Sequence, residues 1–145
     1  MDPSYALSHF HRGTAYASIK QFDRAIADCS KAIDLNPGDP AAYNNRGFVY
    51  FQNQAYDDAI RDYTQAIHLE PRFALAFFNR GTSHLGKNEY DPAIADLTEA
   101  IRLTPEFAPA YIFRGDAYRR RGDRVRADQD RARALQLDPD LGKKK

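Results

Sequence analysis

Apolar residues recur along this chain at helical spacing, in blocks separated by short polar breaks. Leu7, Phe10, Ala15 and Ala17 make one such stripe, and Ile26, Ile33 and Leu35 a second. The pair of stripes then returns. Ala42, Tyr43, Phe48, Tyr50 and Phe51 precede Ile60, Ile67 and Leu69, while Leu75, Phe78 and Leu85 precede Ile94, Ile101 and Leu103. Tyr111, Ile112, Ala117 and Tyr118 open a fourth round. This pattern predicts amphipathic helices of two alternating kinds, with no strand. Asp23, Asp57 and Asp91 are placed to cap the second kind, supported by Pro92. Pro37, Pro71, Pro105 and Pro139 end each second helix.

The return has one fixed interval. Gly13, Gly47, Gly81 and Gly115 lie 34 residues apart, each directly preceded by an arginine: Arg12, Arg46, Arg80 and Arg114. Ala25, Ala59, Ala93 and Ala127 keep the interval, as do Ala32, Ala66, Ala100 and Ala134. With Gly13 at position 8, the repeats run 6–39, 40–73, 74–107 and 108–141. Self-similarity at such a period means stacked copies of one supersecondary unit. Glycine inside a helix costs about 1 kcal/mol against alanine, so its return calls for close approach of the paired helix.

An aromatic near position 4, Gly at 8, Tyr near 11, Ala at 20 and 27 and Pro at 32 together resemble the tetratricopeptide repeat. The resemblance covers nearly the whole chain. It implies an all-α solenoid of four antiparallel helix–turn–helix repeats wound into a right-handed superhelix. A single domain over residues 1–141 is expected, with a disordered tail at 142–145. The family is defined by packing residues, so the resemblance speaks to fold and not to a partner.

The two ends read differently. Asp2-Pro3-Ser4-Tyr5-Ala6-Leu7 aligns with Glu70-Pro71-Arg72-Phe73-Ala74-Leu75, a junction between repeats, so excision from a longer protein is expected. In repeat 4 the aromatic of Phe22, Tyr56 and Tyr90 becomes Arg124, the isoleucine of Ile26, Ile60 and Ile94 becomes Asp128, and Cys29, Tyr63 and Leu97 are answered by Arg131. Residues 124–137 are therefore expected to form a polar C-terminal cap.

Charge and chemistry narrow the function. The net charge of +1 gives no global pull toward nucleic acid or acidic membranes. It is unevenly spread: from Ala108 onward eight Arg and three Lys face six Asp. Arg119, Arg120 and Arg121 with Arg124, Arg126, Arg131 and Arg133 could meet an acidic partner or a nucleic-acid backbone. Interleaved Asp116, Asp123, Asp128 and Asp130 favour a solvated cap. No apolar run approaches the ~18 residues of a membrane span. The single cysteine, Cys29, leaves the redox compartment undetermined and reads as a small core residue. His9, His11, His68 and His84 do not converge, and no metal, phosphate-loop or nucleophile motif is present. No enzyme, cofactor or metal is expected.

Every repeat carries Arg at position 7 and Asp at position 23: Arg12 with Asp28, Arg46 with Asp62, Arg80 with Asp96, and Arg114 with Asp130. An active site does not recur four times in phase, so these read as structural pairs across the helix seam.

The resemblance also implies a concave surface lined by the first helices. Carried over, it nominates Phe10, Asn44, Asn45, Phe48, Phe78, Asn79, Thr82, Phe113 and Arg120. Exposed apolar side chains mark partners, and asparagine amides can pair with a peptide backbone without reading its side chains. The charged clamp that grips acidic chaperone tails in some relatives is absent, because its lysine positions hold Phe10 and Leu75, an asparagine position holds Thr14 and its arginine position holds Asn79. The expected function is a non-catalytic scaffold that binds an extended protein segment. The alternatives are self-association through an open, apolar N-terminal face, and acidic or nucleic-acid partners at the last repeat.

Overall fold

The computed structural model of the protein describes residues 3–143. Eight α-helices come in four pairs among them: α1 (Pro3–Ser18) with α2 (Phe22–Leu35), α3 (Pro40–Gln52) with α4 (Tyr56–Leu69), α5 (Ala74–Gly86) with α6 (Tyr90–Leu103), and α7 (Ala108–Arg121) with α8 (Arg124–Leu137). No strand occurs among the described residues. The pairs gather into two compact units, Met1–Pro71 and Arg72–Lys145. Within the first, α2 also packs on α3, and within the second α6 packs on α7. The tail read as disordered begins in order: Pro139–Gly142 form a 3-10 turn, and the Lys143 amine reaches Asp140 at 3.0 Å. Lys144 and Lys145 lie outside the described residues.

Each first helix ends in the same way. Position 15 is left-handed in every repeat, with φ of 59° at Lys20, 59° at Gln54, 60° at Asn88 and 99° at Gly122. The next amide reaches back to the position-11 carbonyl: Gln21 to Tyr16, Ala55 to Tyr50, Glu89 to His84 and Asp123 to Tyr118, at 2.8–2.9 Å. That is a Schellman motif, and it reverses the chain in three residues or fewer. Glycine suits the turn without side-chain strain, yet only repeat 4 has it there.

The second helices of repeats 1–3 start two residues earlier than their aspartates suggest. Gln21, Ala55 and Glu89 occupy the N-cap without a side-chain hydrogen bond, and Phe22, Tyr56 and Tyr90 are the first helical residues. Asp23, Asp57 and Asp91 therefore sit inside the first turn, where they offset the positive end of the helix. Among the second helices only α8 is capped by an aspartate side chain, Asp123 accepting from the Arg126 amide at 3.1 Å. At the other end the residue before each proline is extended, as the proline ring demands.

Small residues line the seam between paired helices. The alanines at positions 20 and 27 are buried in all four repeats, whereas Ile26, Ile60, Ile67 and Ile94 are only half-buried. Gly13, Gly47 and Gly81 explain why. A methyl there would lie 2.9 Å from Cys29 Sγ, 2.8 Å from Tyr63 Cε1 and 2.9 Å from Leu97 Cγ, respectively. Paired helices thus meet over glycine and alanine, with one larger side chain from position 24 filling the gap.

The recurring ion pair binds the repeats to one another as well as internally. Arg46 Nε and Nη2 donate to the two carboxylate oxygens of Asp62 at 2.7 and 2.8 Å, and Arg114 does the same to Asp130 at 2.8 and 2.7 Å. Arg12 reaches Asp28 at 2.7 and 2.6 Å, and Arg80 reaches Asp96 at 2.7 and 2.7 Å. The remaining nitrogen, Nη1, then bonds a hydroxyl of the preceding repeat: Arg46 to Ser30 at 3.0 Å and Arg114 to Thr98 at 3.1 Å. Each of these two guanidiniums also lies over a position-4 ring, Tyr43 at 5.9 Å and Tyr111 at 5.6 Å. In repeat 1 His9 replaces that ring, its Nδ1 3.0 Å from Asp28 Oδ1. The Arg12 side chain is 58% exposed there, against 17–21% for the other three.

Three outcomes follow from this packing. Arg114→Ala leaves the buried Asp130 carboxylate without its partner and costs about 3 kcal/mol in denaturant unfolding; Thr98→Ala, which removes one bond of the same guanidinium, costs about 1 kcal/mol. Gly122→Gln, forced into the left-handed region, loses about 1 kcal/mol, and Gln54→Gly gains up to that much in the same assay. The third concerns acid. The hydrogen bond from Arg12, aided by one from His9, holds the Asp28 carboxyl below its ordinary 3.8 although burial opposes it. A lowered carboxyl stabilises fully above its unfolded value, and that stabilisation fades as pH falls through the folded one. The melting-temperature gap between the native protein and Asp28→Asn is accordingly open near pH 5 and closes below about pH 4.

Candidate functional site

The nominated surface residues divide between the two compact units. In the first, Phe48 is exposed on α3, Asn45 is half-buried beside it, and Phe10 is half-buried on α1 with its edge on His11 at 5.2 Å. Asn44 departs from the expectation. It is 5% exposed and engaged within the protein, so its amide does not face a ligand. Phe10, Phe78 and Ile112 hold the same position in the other repeats, and a shorter side chain there sinks below the surface.

In the second unit α5 and α7 build an aromatic cluster. Phe78 stands edge-on to Phe107 at 4.9 Å and to Phe113 at 5.5 Å. Phe113, Ile112 and Leu75 remain exposed around it. Asn79 is half-buried, and its carbonyl accepts from the Thr82 and Ser83 hydroxyls at 2.9 Å each. Thr82 is therefore buried and spent on its own helix, which corrects its nomination as a contact residue. Arg120 is exposed but tied to Asp116 at 2.9 Å, one helical turn back.

The remaining reactive groups serve packing. Cys29 is buried, and that burial pushes its thiol up to about 11, far from a nucleophile's range. His84 Nδ1 meets Glu89 Oε2 at 2.7 Å, and Lys87 reaches the same carboxylate at 2.8 Å, closing the turn between α5 and α6. His9 belongs to the Asp28 cluster and His11 is exposed. Among the described residues no group of histidine, cysteine and carboxylate side chains could hold a metal ion, and no helix is long and apolar enough to cross a membrane.

The chain's first and last helices differ from their counterparts inside the repeats. On α7 the stripe Ala110, Tyr111, Arg114 and Ala117 packs against α5 and α6. The same stripe on α1 reads Ser8, His9, Arg12 and Ala15, so the face expected to be apolar is polar along that line. On α8 the described residues Arg124, Val125, Asp128 and Arg131 are exposed, with Ala127, Asp130 and Ala134 buried. Sequence reasoning missed one working position, 25. Its hydroxyls at Ser30 and Thr98 receive the arginine, and the run of Ser30, Thr64 and Thr98 in phase was the signal for it.

Comparison with known proteins agrees with this architecture. Profiles described as Tetratricopeptide repeat match residues 40–73 and 78–141, and one described as TPR repeat matches residues 13–54. No curated protein matches the sequence. Among solved structures, one of MamA is similar at 27% identity and a TM-score of 0.86, over 99% of this chain and 84% of that one. The Arabidopsis OM64 TPR domain superposes at 24% identity and 0.77, over 81% of this chain and 97% of that one. The first TPR of Spaghetti (RPAP3), bound to the HSP90 peptide SRMEEVD, shares the fold at 22% identity and 0.71, over 91% and 97%. Repeat length, helix pairing and these profiles together show that the chain belongs to the tetratricopeptide repeat family.

Proposed function

We propose that this protein-interaction scaffold takes an extended partner segment on the faces of its first helices, with apolar side chains as anchors and asparagine amides as backbone contacts. The aromatic cluster of the second unit carries the reading. Phe78 is held upright by Phe107 and Phe113, and Ile112, Phe113 and Leu75 are exposed beside it. Rigid aromatics at the rim of small pockets supply much of the energy in protein interfaces. Asn79 lies on the same helix, and Phe48 with Asn45 presents a smaller version on the first unit. A fold neighbour that carries a bound peptide supports the class of ligand. The missing charged clamp argues for a ligand other than an acidic chaperone tail. No catalytic role is assigned to any residue.

The test is a pull-down with the native protein beside a Phe48→Ala, Leu75→Ala, Asn79→Ala triple variant whose helicity is checked by circular dichroism. Partners captured by the native chain and lost at least about tenfold from the variant place recognition on these faces. Equal capture by both sinks the proposal.

A further inference from the structure

The last repeat holds a second surface, which shares Ile112 and Phe113 with the first-helix faces but none of Phe48, Leu75 and Asn79. In repeat 3 the outward side of α5 and α6 is covered by α7: Ala117 packs into a cluster with Leu85, Ala93 and Leu97. The equivalent side of repeat 4 carries Arg119 for Leu85, Ala127 for Ala93 and Arg131 for Leu97. A pocket of about 370 Å³ opens there between α7, α8 and the 3-10 turn. Ile112, Phe113, Leu135 and Leu141 form its apolar lining. Its floor is Gly115, where repeats 1–3 have the position-24 side chain pressed against the glycine. In repeat 4 the atoms nearest a methyl on Gly115 belong instead to Ala127 and Asp130, at 3.2 and 3.3 Å, and Arg131 leaves the volume open.

The charges around this pocket are unbalanced. Asp116 also lines it, but its carboxylate is taken by Arg120 at 2.9 Å. Arg119 and Arg131 line it too, and among the described residues neither side chain has a hydrogen bond or ion pair. A polar cap needs no pocket, and an apolar pocket flanked by two free guanidiniums selects carboxylates.

We propose that this face docks an acidic amphipathic helix of a partner protein, one apolar side chain entering the pocket over Gly115 and flanking carboxylates meeting Arg119 and Arg131. A helix is the occupant because α7 covers the equivalent face of repeat 3. Acid is selected because arginines stand where leucines hold α7. A second copy of this chain fits poorly, since its α1 stripe of Ser8, His9, Arg12 and Ala15 offers neither a carboxylate for the two arginines nor a large apolar side chain for the pocket.

The probe is a helix of about 18 residues, lactam-bridged because short helices are marginal alone, with a leucine face flanked by glutamates. Its binding is read by fluorescence anisotropy. Binding that weakens about tenfold or more with Arg119→Glu/Arg131→Glu, and equally when the glutamates are changed to glutamine, supports the proposal. A peptide in which lysine replaces glutamate should recover binding to the charge-reversed protein. The Phe48→Ala, Leu75→Ala, Asn79→Ala variant should bind the probe as the native chain does, which separates this site from the anchors at Phe48, Leu75 and Asn79. Absence of binding, equal affinity for the glutamine peptide, tighter binding of a single-stranded oligonucleotide at the same arginines, or light scattering that shows self-association abolished by the charge reversal would each overturn it.

Discussion

The architecture turns on one guanidinium per repeat. Its fork holds the aspartate of its own second helix, and in Arg46 and Arg114 the spare nitrogen bonds a hydroxyl of the repeat before. One side chain therefore fixes the spacing within a helix pair and the seating of that pair on its neighbour. The carboxylate is buried and the arginine mostly so, and such a pair strongly penalises any arrangement that separates it. Arginine suits this role because its planar fork satisfies two oxygens at once while its face rests on an aromatic ring. Within each compact unit, register is set by this polar device at least as much as by apolar burial.

Close approach makes the device possible. Glycine at position 8 and alanine at positions 20 and 27 bring the paired backbones together, and Ile26, Ile60, Ile67 and Ile94 are left half-buried at the flanks. Large apolar side chains are correspondingly available for the surface, and they gather on the first helices as Phe48, Leu75, Ile112 and Phe113. The scaffold's economy inside and its aromatic exterior are two results of the same packing.

Repeat 4 shows how the same backbone acquires a different purpose. It keeps the glycine, the alanines and the Arg114–Asp130 fork, so its helices pair like the others. Leu85, Ile94 and Leu97 of repeat 3 are answered in repeat 4 by Arg119, Asp128 and Arg131. Because Arg131 does not fill the hollow over Gly115 as Cys29, Tyr63 and Leu97 do, the change produces a charged opening and not merely a wettable end. Departures from the repeat, more than the repeat itself, carry the individuality of this chain.

Much of the fold was legible in the residues alone, because a 34-residue period, phased glycines and prolines, and a recurring Arg–Asp pair are all local or periodic signals. Helix pairing, helix ends at the prolines and the partners of the forks follow from that phase. What the tertiary structure decided were matters of distance and volume. Nothing in Lys20 or Gln54 announces a left-handed turn; the helix reversal imposes it. Asn44 and Asn45 look alike in sequence, yet one is buried and the other half-open, since burial depends on which side of a helix meets its neighbour. Asp23, Asp57 and Asp91 resembled caps until the aromatics before them proved to start the helices. The pocket over Gly115 exists only as a space between side chains, and a one-dimensional pattern records which residues are present but not the room that they leave.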